Sequence, residues 1–395
     1  MWKLHNFVEA KIFLKNKVMM NTKRKITSVF VAAINIIALF CTLSCDNSHN
    51  ATPTLGQTER IMVSEKNDYP TSDIFDSISF LMLKEKEGAY FSTISKMEII
   101  KDRILIFDKI SNSLLAFDTH GEFINSYSKR GKANNEYMRL SDVEVDSNYV
   151  YLYDRASKKM LYYDFSGNFI KSAPTEFRGD AFYPINGNRF LFSMAKEEHN
   201  MKLCVVDSSF QIKDCLLSYK EEDLDNKFNN IIFRGTDDRI LYNKPVCDTI
   251  YFFSKSGELQ NSFLMDFNGK NVPDDIKGNF EELAINRKNE NYIYMYECPM
   301  IINNVILATV FHQGHSATLI YNQDIKKGSI VDWADDNKLS NMILPVYSNH
   351  EYIVGWMDDE VFESITDKER LNEEMVQHLK KGGRILIFYH LKNNR

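Results

Sequence analysis

The sequence predicts an all-β fold, a six-bladed β-propeller made of four-stranded antiparallel blades. Short apolar strands recur along the chain together with a turn motif, and the first two units are 46 residues apart. The composition agrees, because 27 Phe and 20 Tyr stand against 16 Gly and 8 Pro, a balance typical of globular sheet proteins.

The repeat is clearest in two consecutive units. Each unit has two apolar runs that end in Asp, and a glycine three residues after the second Asp. The first unit contains 104–108, 114–118 and Gly121, and the second contains 150–154, 160–164 and Gly167. Runs this short are strands rather than helices, and their apolar character predicts burial on both faces. We expect Asp108 and Asp154, where strands end, to accept hydrogen bonds from the following loop's amides, and the glycines to adopt a positive φ.

Fainter copies of the unit extend the pattern to the end of the chain. They lie at 189–193 with 203–207, at 248–257, at 305–310 with 317–321, and at 352–356 with 384–389. Residue 210 is Phe where the other copies have Gly. Longer insertions near 219–235, 268–290 and 357–383 favour six blades, which would span residues 73–395.

The ring also has to close. The isolated strand 77–83 is predicted to pair with 384–391, so that strands from both ends share a blade. A short amphipathic helix precedes this last strand: 366–369 form a capping box, Leu371, Met375 and Leu379 share one face, and 382–383 are glycines that end it.

The N-terminus predicts export. Three basic residues at 23–25 precede a mostly apolar stretch, 26–43, and a small residue before Cys45. Residues 1–44 are therefore interpreted as a signal peptide, with 1–19 an upstream extension if Met20 is the start. An uncleaved membrane anchor is the alternative. Residues 45–72 are predicted to be a flexible tether.

Charge is distributed unevenly. Residues 1–44 carry seven Lys/Arg and one acidic residue, so the remaining chain has a formal net charge of −12, against −6 for the whole. A body this acidic repels phosphate backbones, which excludes nucleic acid as the expected partner.

Two cysteines, Cys204 and Cys215, would face each other if 207–211 form a hairpin turn. Two unpaired core thiols are the interpretation we favour from the sequence.

With these features the chain resembles the six-bladed β-propeller lipoproteins of bacteria, relatives of the NHL-repeat propellers. The residues that carry the resemblance are the lipobox-like 42–45, the repeated Asp-x-x-Gly units, the loop 131–137 and the closing strand 385–392. The resemblance implies acylation of Cys45. It also implies a monomeric outer-membrane lipoprotein, on the periplasmic or the surface face, that binds a saccharide, a peptide or another envelope protein.

Propellers bind on the face where the loops after the second and fourth strands converge. That rule predicts a basic cluster around one channel mouth that suits an acidic or sugar-acid ligand: Lys129, Arg130, Asn134, Glu136, Arg139, Arg155 and Arg178. The alternative is a solvated loop with ordinary surface charges. His312 and His315, the only close histidine pair, are interpreted as incidental loop residues.

The sequence thus favours a non-catalytic binding protein of the cell envelope, with no cofactor. The alternative is a metal-dependent lyase or hydrolase with a divalent cation at the channel mouth, since NHL-type propellers include such enzymes. The sequence contains no nucleophile elbow, phosphate loop or zinc-protease motif.

Overall fold

Six separate sheets form the six blades, which confirms the predicted fold class. The structure is a computed structural model, and it describes residues 58–65, 69, 71–86, 89–127, 129–221, 223, 231–279, 283, 292–333, 337–341 and 343–392. The predicted signal peptide, Cys45 and the first part of the tether lie outside these residues. Thr52–Arg395 form one compact unit. No helix in the described ranges has the length and apolar character of a membrane span.

The first three blades use consecutive strands, named here from the channel outward. Blade I contains β3 (Lys96–Ile100), β4 (Arg103–Asp108), β5 (Ser113–Asp118) and β6 (Phe123–Ser126). Blade II contains β7 (Leu140–Val145), β8 (Val150–Asp154), β9 (Lys159–Tyr163) and β10 (Phe169–Pro174). Blade III contains β11 (Gly179–Ile185), β12 (Arg189–Met194), β13 (Met201–Val206) and β14 (Ile212–Ser218).

The other three blades recruit strands from elsewhere in the chain. Blade IV contains β15 (Phe233–Gly235), β16 (Arg239–Tyr242), β17 (Thr249–Ser254), β18 (Leu259–Asp266) and, outermost, β1 (Thr58–Met62). Blade V contains β19 (Tyr294–Met295), β20 (Met300–Ile302), β21 (Val305–His312), β22 (His315–Asn322) and β23 (Lys327–Asp332). Blade VI contains β24 (Tyr347–Ser348), β25 (Tyr352–Met357), β26 (Arg384–Leu391) and β2 (Phe75–Leu83).

Alternating strand directions give the propeller two distinct ends. We call the end with the connections between second and third strands, and between blades, the loop face. The opposite end, with the tight connections between first and second and between third and fourth strands, is the turn face. The first strands of neighbouring blades contact one another around the axis, as β7 does with both β3 and β11. They line the central channel.

Ring closure follows the prediction. β2 pairs antiparallel with β26 from Phe75 opposite Leu391 to Leu83 opposite Arg384. The N-terminal strand is therefore the outer strand of the blade whose inner strands come from the C-terminus. This arrangement covers what would otherwise be an open edge on β26.

The repeated motifs act as predicted. Asp108 and Asp154 are fully buried. The Asp154 carboxylate accepts from the amides of Met138 at 2.6 Å and Ser157 at 3.1 Å, which ties the start of blade II to its own second turn. Gly121 has φ +79°, and a Cβ there would lie 2.0 Å from the Met82 carbonyl oxygen, so only glycine fits.

Blade III shows how the pattern tolerates Phe210. This residue adopts φ +59°, the conformation that glycine has in the other turns. It is buried and stacks on Phe190 with ring centroids 5.4 Å apart. Packing against the blade thus stabilises a backbone conformation that is unfavourable for a large side chain.

Part of the predicted tether contacts the propeller: residues 58–65 and Tyr69, which we call the strap, lie against two blades. β1 pairs parallel with β18 on blade IV. The Tyr69 amide then donates to Ser329 Oγ of blade V at 2.7 Å. An edge strand can pair with a further strand wherever its backbone amides and carbonyls are free. The residue pattern of 58–62 alone does not indicate which edge this segment pairs with.

His312 contacts this strap and His315 contacts Asp332 of blade V, so their interpretation as incidental loop residues is wrong. His312 is buried, with Nε2 3.1 Å from a Glu65 carboxylate oxygen and Nδ1 3.2 Å from Asp332. His315 Nε2 lies 2.5 Å from the other Asp332 oxygen, and Lys270 pairs with Glu65 at 2.6 Å. The partners come from segments far apart in sequence, so residue spacing could not indicate them.

The favoured expectation of unpaired thiols is also wrong, since Cys204 and Cys215 form a disulfide. They lie directly opposite each other on β13 and β14, with Cα atoms 4.1 Å apart. Within the described residues, Cys247 and Cys298 are free thiols.

The helix before the last strand is present but begins later than predicted. The helices of the described residues are α1 (Asp274–Lys277), α2 (Asp359–Ser364) and α3 (Glu373–Lys380). The capping box at 366–369 is wrong: Lys368–Arg370 form a 3-10 turn, and Asn372 caps α3 by accepting from the Met375 amide. Leu379 packs into the core beside blade VI, as the apolar stripe predicts.

We expect Asp154→Ala to lower the free energy of unfolding by about 3 kcal/mol, because buried amides lose their acceptor. Asp164→Ala is the matched control, since Asp164 caps a solvent-exposed turn; a loss of about 1 kcal/mol is expected there. Urea unfolding of both variants measures the difference. Equal losses would show that the buried carboxylate has no special role.

Candidate binding site in the central channel

Charged side chains from the first strands and from nearby loops form ion pairs between neighbouring blades. Lys96 of β3 lies 3.2 Å from Asp142 of β7 and also contacts Glu144. Arg155 and Lys244 both pair with buried Asp180, at 3.1 and 2.8 Å. Charges removed from water persist only when they are paired, so these ion pairs join neighbouring blades at the axis.

Burial shifts the titration of this network. It raises the pKa of Glu144 well above its ordinary value, against the opposing effect of Lys96. Burial disfavours the charge of Lys96, but Asp142 and Glu144 hold its pKa above the ordinary value. Lys96 therefore remains positively charged between Asp142 and Glu144.

Arg234 of β15 closes the opposite side of the channel. Its guanidinium donates to the carbonyls of Cys298 at 2.7 Å, Pro345 at 3.2 Å and Val346 at 3.4 Å. It also lies 3.8 Å from Glu297. One side chain thus ties blade IV to the segments that enter blades V and VI. The channel core that remains is about 80 Å³, too small for more than a few water molecules.

Towards the turn face the channel widens into a cavity of about 390 Å³, which we call the turn-face mouth. Acidic, amide, hydroxyl and aromatic side chains line it: Glu98, Tyr183, Thr236, Asp237, Asp238, Arg239, Asn303, Asn304, Tyr347, Ser348, Asn349 and His350. These residues come from the first strands and first turns of five blades. The volume falls within the range of small-molecule sites.

Three polar groups in the mouth are not used by the fold. Among the described residues, none hydrogen-bonds to the carboxylate of Glu98 or to the hydroxyls of Tyr183 and Tyr347. Burial raises the pKa of Glu98, although Lys96 and Arg234 oppose the shift. Burial also raises the pKa values of both tyrosines. The mouth therefore offers uncharged hydroxyls beside a carboxyl group that binds protons more tightly than usual.

Gly235 makes room for one of these groups. A Cβ at this position would lie 1.8 Å from the Tyr183 hydroxyl oxygen, so the tyrosine lies directly against the glycine backbone. Any larger residue would displace Tyr183 from the mouth.

The residues predicted as ligand-binding lie at the other end of the channel, on the loop face. Lys129, Arg130, Asn134, Glu136 and Arg139 occupy the connection from blade I to blade II, while Arg155 and Arg178 follow strands of blade II. Arg155 pairs with Asp180 and Glu197, and Arg178 with Glu198 at 2.8 Å. The structure thus places all seven on one face and pairs two of the cations with acids. Ligand binding by this set stays a prediction.

The turn-face mouth was not predicted from the sequence. A signal existed, because charged residues interrupt apolar first strands as Lys96 and Glu98, and as Asp142 and Glu144. A single strand does not show which of its faces reaches the channel, however. Tyr183 and Tyr347 carried no signal among the 20 tyrosines of the chain.

Metal-ligand chemistry appears at one place in the described residues, outside the channel. His199, Cys204 and Cys215 bring potential ligand atoms within 4.8 Å of one another. The two sulfurs are joined in the disulfide, which removes them as thiolate ligands.

Comparisons with known proteins place this geometry in context. The sequence profile of a family described as Domain of unknown function (DUF4934) matches residues 58–383. A Bacteroides fragilis protein described as exported has a similar structure: TM-score 0.69, 19% identity, covering 85% of this chain and 100% of that one. A member of the DUF4221 family from Bacteroides vulgatus has TM-score 0.45 and 11% identity, covering 82% and 99%. No curated protein matches the chain. At these identities the similarity concerns the fold.

We expect Glu98→Gln to change how stability depends on pH. The folded-state pKa of Glu98 lies above its ordinary value of 4.5, so the folded state holds this proton more tightly than the unfolded state. Wild-type stability should therefore decline as pH rises from about 4.5 through the folded pKa. Glutamine never ionises, so the variant should gain stability over wild type across that interval.

Urea unfolding at a series of pH values measures this gain, with the exposed Glu360→Gln in α2 as control. Parallel pH profiles for wild type and Glu98→Gln would mean that burial does not perturb this carboxyl group.

Proposed function

The chain belongs to the Domain of unknown function (DUF4934) family, and from its channel geometry we propose that it is an exported, lipid-tethered binding protein. Its ligand is a neutral saccharide that binds in the turn-face mouth and is not chemically changed. The observation that carries this proposal is the set of unpartnered polar groups there: the Glu98 carboxyl and the hydroxyls of Tyr183 and Tyr347.

Sugars suit these groups because each sugar hydroxyl both donates and accepts a hydrogen bond. The mouth offers the same versatility through tyrosine, threonine and serine hydroxyls and through the amides of Asn303 and Asn349. These groups are partly exposed, so a ligand that hydrogen-bonds to them is selected by its hydroxyl pattern.

Charge favours a neutral sugar over a sugar acid in the mouth. Asp237 and Asp238 line it together with Arg239, which is itself paired with Asp238 at 3.0 Å, and the Lys255 ammonium lies 5.5 Å from the centroid of the Tyr183 ring. An anionic ligand would be repelled by these aspartates and by Glu98 when ionised.

Export and tethering rest on the N-terminal residues and gain support from the disulfide. Disulfides form and persist in oxidising compartments outside the cytoplasm, and Cys204–Cys215 is one. The lipobox-like residues 42–45 supply the tether through Cys45, which places the protein in the cell envelope.

We expect a neutral mono- or disaccharide to bind the purified body, residues 46–395, and to raise its melting temperature, while uronic acids do not. Tyr347→Phe removes a hydroxyl that the ligand would pair, so affinity should fall about tenfold by calorimetry. Tyr90→Phe is the control, since Tyr90 is 70% exposed and outside the mouth. Unchanged affinity in Tyr347→Phe, or no binding by any neutral sugar, would refute the proposed site.

Cys45→Ser is expected to abolish incorporation of labelled fatty acid in cells and to shift the protein from the membrane to the soluble envelope fraction. Cys41→Ser is the matched control and should behave as wild type. A Cys45→Ser protein that stays in the membrane fraction would favour the uncleaved-anchor alternative.

A further inference from the structure

The loop face carries a second surface of different chemistry, at the junction of blades I and II. It is formed by two loops, 109–112 and 129–139, which are joined by hydrogen bonds. The Tyr137 hydroxyl donates to the Asn112 carbonyl at 2.9 Å, and the Leu140 amide donates to Asn112 Oδ1 at 2.7 Å. The Arg130 guanidinium donates to the Ser111 carbonyl. These bonds hold the two loops as one surface.

Four exposed cations stand on this surface: Lys129, Arg130, Lys132 and Arg139. None of them forms an ion pair with an acid among the described residues. We call this set the basic rim. On a body whose formal net charge is −12, an uncompensated group of four cations marks a place that attracts negative charge.

The carboxylates near the basic rim accept hydrogen bonds from loop backbone amides. Glu136 Oε2 accepts from the Ala133 amide at 2.9 Å within the loop. Asp108 accepts from the Ile110 amide at 2.8 Å, and Asp154 from the Met138 amide at 2.6 Å. Each carboxylate stabilises loop backbone, and the loops 109–112 and 129–139 together carry five Lys/Arg against one acid, Glu136, so the surface stays positive.

Two large apolar side chains protrude beside the cations. Ile110 is 69% exposed and Met138 is 48% exposed, one on each loop. Their backbone amides are fixed by Asp108 and Asp154, so the loops present these side chains to solvent in a defined arrangement.

We propose that the basic rim docks on an anionic lipid bilayer, with the four cations at the headgroups and Ile110 and Met138 inserted just below them. Cations next to a few apolar side chains are the combination that binds proteins to the surface of such bilayers. This surface is separate from the turn-face mouth, and docking requires neither saccharide binding nor acylation.

Other acidic partners fit the surface less well. An acidic polysaccharide would leave Ile110 and Met138 in water. A stable protein interface buries about 800 Å² on each partner around a desolvated apolar centre, and two separate side chains do not form one. Twelve residues lie between Cys45 and Thr58, and when fully extended they span up to about 45 Å.

The test uses residues 46–395, which include the whole compact unit Thr52–Arg395 and lack the acylated cysteine. Sedimentation with vesicles of phosphatidylcholine alone, or mixed with phosphatidylglycerol, measures binding. We expect binding to the anionic vesicles that weakens as salt is raised, and little binding to the neutral ones.

Lys129→Glu/Lys132→Glu should weaken binding to anionic vesicles at least about tenfold. Lys326→Glu/Lys327→Glu is the matched control: it makes the same charge change in an exposed turn on the opposite face, beside the 53% exposed Ile325. Circular dichroism and melting temperature verify that both variants are folded.

Ile110→Trp reports insertion, and its fluorescence should shift to the blue when anionic vesicles are added. Equal binding by the two charge variants would overturn the assignment to the basic rim. No preference for phosphatidylglycerol would overturn the anionic bilayer. An unshifted tryptophan would overturn insertion, and binding to polyglutamate but to neither vesicle would assign the rim to an acidic protein instead.

Discussion

The pairing of β2 with β26 is the constraint on which the rest of the structure depends. It places strands from the two ends of the propeller in one blade, and it holds them with an eight-residue antiparallel register rather than with a loop contact. Each blade buries its faces only against its neighbours, so an open ring would expose two of them. Closure also brings β24 beside β3, which completes the wall of the channel.

The charged groups of the channel depend on that closure. Lys96 belongs to blade I, whereas Asp142 and Glu144 belong to blade II, and these buried charges would be unpaired if the two blades moved apart. The same holds for Arg234, whose carbonyl acceptors lie in the segments entering blades V and VI. The axis is therefore held by polar contacts, while the outer parts of the blades are held by apolar packing.

The two ends of the channel have opposite character. The turn-face mouth combines Glu98 with tyrosine hydroxyls and amides, and acids line its edge. The loop face carries the basic rim and two exposed apolar side chains. A body with this polarity can hold a small neutral ligand at one end while the other end meets a negatively charged surface, because the two sites share no residue.

The sequence alone determined the features that follow from local periodicity: the strands, their turns and the helix before the last strand. The repeat predicted the blades, the turn glycines and the hydrogen bonds of Asp108 and Asp154 to loop amides, and the isolated strand 77–83 predicted the closure. The amphipathic stripe predicted α3 but not its start, because Thr366 and Asn372 both offer capping side chains and local sequence does not choose between them. Only the tertiary structure decided the Cys204–Cys215 disulfide, the contact of His312 with Glu65 of the strap, and the turn-face mouth. Those features join residues from distant segments, and which charges become paired there depends on how six blades meet around one axis.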